Sequence, residues 1–275
     1  MEALKTDTKE PQRIPVRIRR VIGTAGRDVI DGWSMLRTDL RNFLRRSRGA
    51  RLDYVVIPIG GSLPERSGPP RNFIERRLPL PPDPLSMQQL NAMIQAVIEA
   101  ENARGIVFIL NRLSAGLATL QNFRSAIARL QQAGKEAIVY TPYLDLAHYY
   151  AATAADAVIC PPGARFEVMG LYTEVIFLKD ALARLGLSAD VVQISPYKTA
   201  FDRLNRSEMT PEHREQLDRL LDDQYDMLTA DMAGSRGMAQ SDFKKLVDTA
   251  PFSAEIALAS DLIDHVAYDD QLDQW

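Results

Sequence analysis

Apolar residues recur along this chain in two patterns: short β-branched runs, and longer stretches with three- and four-residue spacing. The first long stretch runs from about Arg27 to Leu44. There Val29, Trp33, Leu36, Leu40 and Phe43 fall on one face of a predicted helix, with Arg37, Arg41, Arg45 and Arg46 mostly off that stripe. Asp53 to Ile59 is a β-branched run closed by Gly60-Gly61, which predicts a buried strand. Residues 62–84 carry too much proline for a helix and read as a loop or arm. Ser86 then caps a helix predicted to reach about Ala103, with Leu90, Met93, Ile94, Val97 and Ile98 inward.

A strand-then-helix rhythm follows. Strands are predicted at Gly105–Leu110, Glu136–Tyr140, Ala157–Cys160 and Ala189–Ile194. Helices are predicted at about Leu117–Ala133, Asp145–Ala154 and Val175–Leu185, the first and last stopped by Gly134 and Gly186. Thr210-Pro211-Glu212 opens a long helix to about Met232, its apolar stripe formed by Leu217, Leu220, Leu221, Tyr225 and Leu228. Shorter helices near Gln240–Val247 and Ala254–Ala259 close the chain. Strands alternating with helices predict an α/β fold with a mainly parallel sheet.

Charge divides the chain in two. Residues 1–51 hold 13 Lys/Arg against 6 Asp/Glu, a net of +7; with −3 overall, residues 52–275 carry −10. The expected organisation is a basic N-terminal extension with an amphipathic helix (1–51) and one α/β domain (52–275). The helix at 27–44 has two readings: packing on the body or a partner subunit, or peripheral contact with anionic lipid. The sequence contains no apolar run of eighteen residues and no apolar segment after Met1, so a cytoplasmic or membrane-peripheral location is expected. Cys160 is the one cysteine; it excludes an intrachain disulfide and reads as a buried strand residue.

Common catalytic signatures are missing. There is no phosphate-cradling loop ending in Lys-Ser/Thr and no Gly-x-Ser-x-Gly elbow. His148, His213 and His265 are scattered, so neither a metal site nor a cofactor is indicated. His148 reads as a packed or partly exposed ring, His213 and His265 as surface positions. Lysine is scarce beside arginine, which draws attention to Lys198 in Ser195-Pro196-Tyr197-Lys198-Thr199-Ala200. Just past a predicted strand, it is placed for partial desolvation. Desolvation favours the neutral amine, which can accept a proton from a serine hydroxyl. The alternative is a solvated lysine at a strand end.

Around these residues the chain resembles the signal peptide peptidase A family of serine peptidases. The resemblance is carried by Tyr197-Lys198-Thr199-Ala200, Arg206-Ser-Glu-Met-Thr-Pro-Glu212 and the acidic helix after it. Phe252–Asp264 resembles the family's closing segment, which ends in Gly-Leu-Val-Asp. Tyr149-Tyr150, Ala154-Ala155-Asp156 and Pro161-Pro162-Gly163 also follow the pattern, so that it spans about residues 53 to 268. The resemblance implies a Clp protease/crotonase-like fold of repeated strand-strand-helix units, with the N-terminal helix as an addition. It also implies a Ser/Lys dyad with Lys198 as general base, and low-specificity assignments of Ala115, Gly116 and Tyr197 to oxyanion or substrate binding.

Three departures accompany it. Leu146 stands where the family has its nucleophilic serine, three residues before the tyrosine pair; the family's Asn-Ser-Pro-Gly-Gly loop reads Asn111-Arg-Leu-Ser-Ala-Gly116; and the membrane-spanning N-terminus is missing. Long family members resemble two fused copies, lysine in the first and serine in the second. This chain resembles the first. The implied function is a peptidase half acting on signal peptides or other membrane-derived peptides, its serine supplied by a second half or another polypeptide; Ser114 and Ser195 are nearby candidates within the chain but not at the matching position, and a homo-oligomer or a serine-bearing second half is the expected partner. The alternatives are a silent scaffold or peptide-binding subunit, and a crotonase-like acyl-CoA enzyme. No nucleic-acid partner is expected.

Overall fold

Apolar alternation builds the central sheet. In a computed structural model, which describes residues 52–274 apart from 70, 71, 74–76 and 82, five strands lie in the order β1-β2-β3-β5-β8. They are β1 (Leu52–Ser62), β2 (Ala103–Ser114), β3 (Glu136–Tyr140), β5 (Ala157–Cys160) and β8 (His265–Val266). The pairs β2–β3, β3–β5 and β5–β8 are all parallel. Ile106, Phe108 and Leu110 of β2 point to the main core, and alternation sends Ile109 to the opposite face with Ile138, Tyr140 and Ile159. At the start of β2 the backbones approach closely. A Cβ on Gly105 would lie 2.1 Å from the Glu136 carbonyl oxygen, so only glycine fits this register.

A second, smaller sheet has the order β4-β6-β7, from β4 (Leu144–Asp145), β6 (Arg165–Glu167) and β7 (Phe252–Ser253). Here β4–β6 is parallel and β6–β7 antiparallel. The two sheets reveal the repeat. β3 is followed by β4, and β5 by β6; β3 pairs with β5, and β4 with β6. This is the strand-strand arrangement of a Clp protease/crotonase-like fold, and the mainly parallel α/β architecture is as expected. The two- and three-residue strands are too short to leave a periodic signal in the sequence.

Helices α1 (Met87–Glu99), α2 (Leu117–Gln132) and α3 (Leu146–Ala152) cover the main sheet. Ser86 caps α1 in a reciprocal box with Gln89. Two shorter helices follow, α4 (Lys179–Arg184) and α5 (Asp202–Asn205), then the long α6 (Pro211–Ser235), α7 (Gln240–Thr249) and α8 (Ala254–Ala259). Thr210 caps α6 and Pro211 occupies its first turn.

Two expectations are corrected. Ala189–Ile194 is not a strand: it has no regular structure, and Val192 and Ile194 are 90% and 86% exposed. The helix expected over Val175–Leu185 is confined to Lys179–Arg184. Both lie in an arm, residues 169–201, where Leu171 packs against the main core but ten large apolar side chains are exposed among the described residues. The basic extension and its predicted helix at 27–44 fall outside the described residues.

Candidate active site

β4 turns directly into α3 at Asp145-Leu146. Asp145 is the helix cap, its carboxylate accepting the His148 backbone N–H at 3.0 Å. This strand-to-helix elbow is where the family's nucleophile is expected. The side chain there is Leu146, half-buried and packed on the main core, so the elbow presents no hydroxyl.

Two residues on, His148 is buried. Its Nδ1 lies 2.8 Å from both Asp145 carboxylate oxygens. Its Nε2 lies 2.8 Å from the Asn111 carbonyl oxygen and 2.9 Å from the Leu113 backbone nitrogen. A neutral ring accepts the Leu113 N–H, whereas an imidazolium donates to the Asn111 carbonyl. Burial disfavours the imidazolium, but hydrogen bonds to Asp145 and Asn111 outweigh it, and His148 is raised above 6.5. Burial likewise pushes Asp145 up; the bonds from His148 win, and its carboxyl is held below its ordinary 3.8.

An Asp–His pair of this kind is part of a Ser-His-Asp triad, and Ser114 is one residue beyond Leu113. Yet both ring nitrogens are already engaged, and among the described residues no hydrogen bond joins His148 to Ser114. The pair is a clamp tying the end of β2 to the start of α3. Ala115 and Gly116 follow β2, Gly116 capping α2 with φ −72° and ψ 161°, a conformation open to any residue. Cys160 is buried and its thiol is pushed up to about 12 by burial, with Glu255 adding to the effect. It is no nucleophile.

Lys198 lies at the end of the arm, before a 3₁₀ turn at Thr199–Phe201. Its N–H donates to the Ser195 carbonyl, and its own carbonyl accepts from Gln193 Nε2, both at 3.0 Å. Neighbours tie the segment to α6. The Tyr197 hydroxyl donates to Glu215 Oε2 at 3.0 Å, and Gln216 Nε2 donates to the Tyr197 carbonyl at 3.1 Å. The Lys198 side chain is exposed. The desolvation expected from a preceding buried strand is absent because that strand does not form.

Behind these residues a polar frame fixes the fold. Tyr149 donates to the Leu262 carbonyl at 2.9 Å and stacks on Phe243, while Tyr150 donates to Asp231 Oδ2 at 2.7 Å. Arg236 grips Asp264 with two hydrogen bonds of 2.9 and 3.0 Å and donates a third to the Asp261 carbonyl. Asp264 also accepts the Val158 N–H at 2.7 Å, so one carboxylate joins β5, α6 and the closing segment. The sequence motif contained Asp264 but not its partner Arg236. His148 and Asp145 were also missed as a pair, though an Asp three residues before a His at a helix start is a capping signal. His213, read as a surface position, is buried instead.

Residues 129–275, just over half of the chain, match the family described as Peptidase family S49. The chain belongs to peptidase family S49. The family match takes in α3, the arm with Lys198, α6 and the Arg236–Asp264 closure. Among curated relatives, this S49 chain is 26% identical over 188 residues to the chloroplastic serine protease SPPA of Arabidopsis thaliana, covering 68% of this chain and 28% of that protein. It is 25% identical over 146 residues to Protease 4 of Haemophilus influenzae, covering 53% and 24% of the two chains. Against the putative protease slr0021 of Synechocystis it is 31% identical over 100 residues, 36% and 35%. The matched part thus spans between about a quarter and a third of these relatives' length.

Proposed function

We propose that this S49 chain is the lysine-bearing half of a Ser/Lys peptidase site, its serine contributed by a second half or by another polypeptide. One observation carries the reading. The elbow that should present a nucleophile holds Leu146, while Lys198 remains in a family-like segment, exposed on an arm with uncovered apolar side chains. In the assembled site the neutral Lys198 amine takes the serine hydroxyl proton as the oxygen bonds to the scissile carbonyl carbon. It then passes that proton to the departing amine nitrogen. Covering the arm with a partner supplies the desolvation that the chain alone lacks. Ala115, Gly116 and Tyr197 are the proposed contacts to substrate or oxyanion. Substrates are signal peptides or other membrane-derived peptides, and the amphipathic segment of residues 27–44, within the basic N-terminal extension, is proposed to dock on lipid or on a partner.

The His148–Asp145 clamp gives a second reading some footing. It fills the elbow region with structural hydrogen bonds, as a scaffold subunit would. Fluorophosphonate labelling of the isolated chain, followed by peptide hydrolysis assays, tests the leading reading. The expected outcome is no label on Ser114 or Ser195 and no hydrolysis. Stoichiometric labelling of either serine would place the nucleophile inside this chain and end the proposal.

A further inference from the structure

Lys198 belongs to neither a helix nor a strand. Its φ of −90° and ψ of 67° lie near an inverse γ-turn, and its side chain is exposed, so its aim depends on what holds the backbone around it. The second turn of α6 does much of that holding. Gln216 brackets the lysine: its Nε2 donates to the Tyr197 carbonyl at 3.1 Å, and its Oε1 accepts the Thr199 hydroxyl at 3.3 Å. A carbonyl can only accept, so the Tyr197 contact fixes which end of the amide faces which neighbour. The Thr199 contact is long for a hydroxyl donor and is the weaker of the two. Next to Gln216, Glu215 Oε2 accepts the Tyr197 hydroxyl at 3.0 Å. A phenol has one proton to donate; here it goes to Glu215, which leaves the Tyr197 ring rather than its hydroxyl for substrate. Two adjacent side chains thus hold the residues on both sides of Lys198. Farther along the same helix Leu228, Met232 and Ala233 are buried in the main core. One helix therefore links the core to the lysine.

We propose that Gln216, with Glu215 beside it, is a positioning residue for Lys198. This role rests on the Ser/Lys reading for what the lysine does, and on the hydrogen bonds to α6 for how it is aimed. A general base works only within about 2.6–3.2 Å of the proton it takes, and a misplacement of about 1 Å can cost about 10²-fold in rate. The lysine stem is flexible, and a backbone free to turn would widen its search. Clamping the peptide groups on either side removes the backbone's share. A neutral amide does so without disturbing the base. A carboxylate at position 216 would repel the Tyr197 carbonyl and favour the ammonium form of the lysine, and a guanidinium could not accept the Thr199 hydroxyl. Exposed hydrogen bonds of this kind are individually weak, and exclusion of water by the partner that completes the site strengthens them.

Two measurements test the role. In the isolated full-length chain, NMR relaxation reads the backbone amide order parameters of Lys198 and Thr199. The native chain should give about 0.8, and Gln216→Leu below about 0.6, with the amides of β2 and β3 unmoved. A native value already below about 0.6, or no fall in the variant, overturns the inference whatever the peptidase activity. In the native assembly, at matched mass and unfolding temperature, Gln216→Leu should lower kcat at least about tenfold and leave KM within about threefold, since the lysine is misaimed while substrate contacts stay. Glu215→Ala should also lower kcat, and Glu215→Gln, whose amide oxygen still accepts the phenol, should recover most of that loss. Adding Tyr197→Phe to Glu215→Ala should cost little more, because the two share one hydrogen bond. Native kcat in Gln216→Leu, where Lys198→Ala has lost activity, refutes the positioning role and leaves the Ser/Lys reading standing. Activity that survives Lys198→Ala refutes that reading, and the positioning role with it.

Discussion

Gly105 and Asp261 show how single backbone positions restrict this fold. At Gly105 any side chain meets the Glu136 carbonyl at 2.1 Å, a backbone atom that cannot rotate away. Gly105→Ala is therefore expected to destabilise by about 1–3 kcal/mol, read as a lowered urea midpoint with unchanged m-value. Asp261 has φ +57°, and it occupies the position of glycine in the Gly-Leu-Val-Asp ending that the closing segment resembles. Asp261→Gly should be neutral or stabilising, and Asp261→Val destabilising by about 1–2 kcal/mol, because a β-branched residue strains most there. Thermal unfolding of the pair checks the sign. His148 gives a pH-dependent counterpart. Its folded value is raised, so its contribution is complete below about pH 6.5 and fades as pH rises through that folded value. Asp145 is depressed, so its contribution is present above about pH 3.9 and is lost as pH falls through its folded value. The stability gap between the native chain and His148→Ala should narrow as pH rises above about 6.5. A gap that stays constant from pH 6 to 9 would contradict the clamp.

At the scale of elements, hydrophobic patterning revealed what has length. The strands at Glu136–Tyr140 and Ala157–Cys160, and α2 with its Gly134 stop, are where the periodicity places them. The short strands β4, β6, β7 and β8 were invisible, since two or three residues carry no period. The arm misled the reading for a physical reason. Ala189–Ile194 has the β-branched composition of a buried strand, yet among the described residues no strand pairs with it and Val192 and Ile194 stay exposed. The long helix tells the same story: Leu228 and Met232 are buried, while Leu220, nearer its start, is 52% exposed. Apolar pattern without apolar partner is the signature of an interface. The double substitution Val192→Glu with Ile194→Glu is expected to lower the mass of the assembly in light scattering and leave the unfolding temperature of the monomer within about 2 °C, as surface changes do. An unchanged assembly mass would remove this segment from the interface.

For the molecule as a whole, the exposed apolar surface is uneven. Ten of the nineteen large apolar side chains exposed among the described residues fall between Met169 and Phe201, in the arm that carries Lys198. The body is closed by paired groups: the half-buried Arg236 on Asp264, and the buried Tyr149 on Leu262 and His148 between two strand ends. On the proposed reading, a lysine on an apolar arm and a leucine at the elbow form half of a site. The sequence showed both Lys198 and Leu146 through family resemblance. It did not show that Lys198 is exposed, because exposure depends on a strand that composition suggested and tertiary structure does not supply. The decisive measurement is peptide hydrolysis by the native assembly purified through this chain, comparing wild type with Lys198→Ala at matched assembly mass and unfolding temperature. The account requires a loss of at least about 10²-fold in kcat/KM, the scale of a general base that works as a unit with its nucleophile. Hydrolysis that persists at the wild-type rate in Lys198→Ala would contradict it.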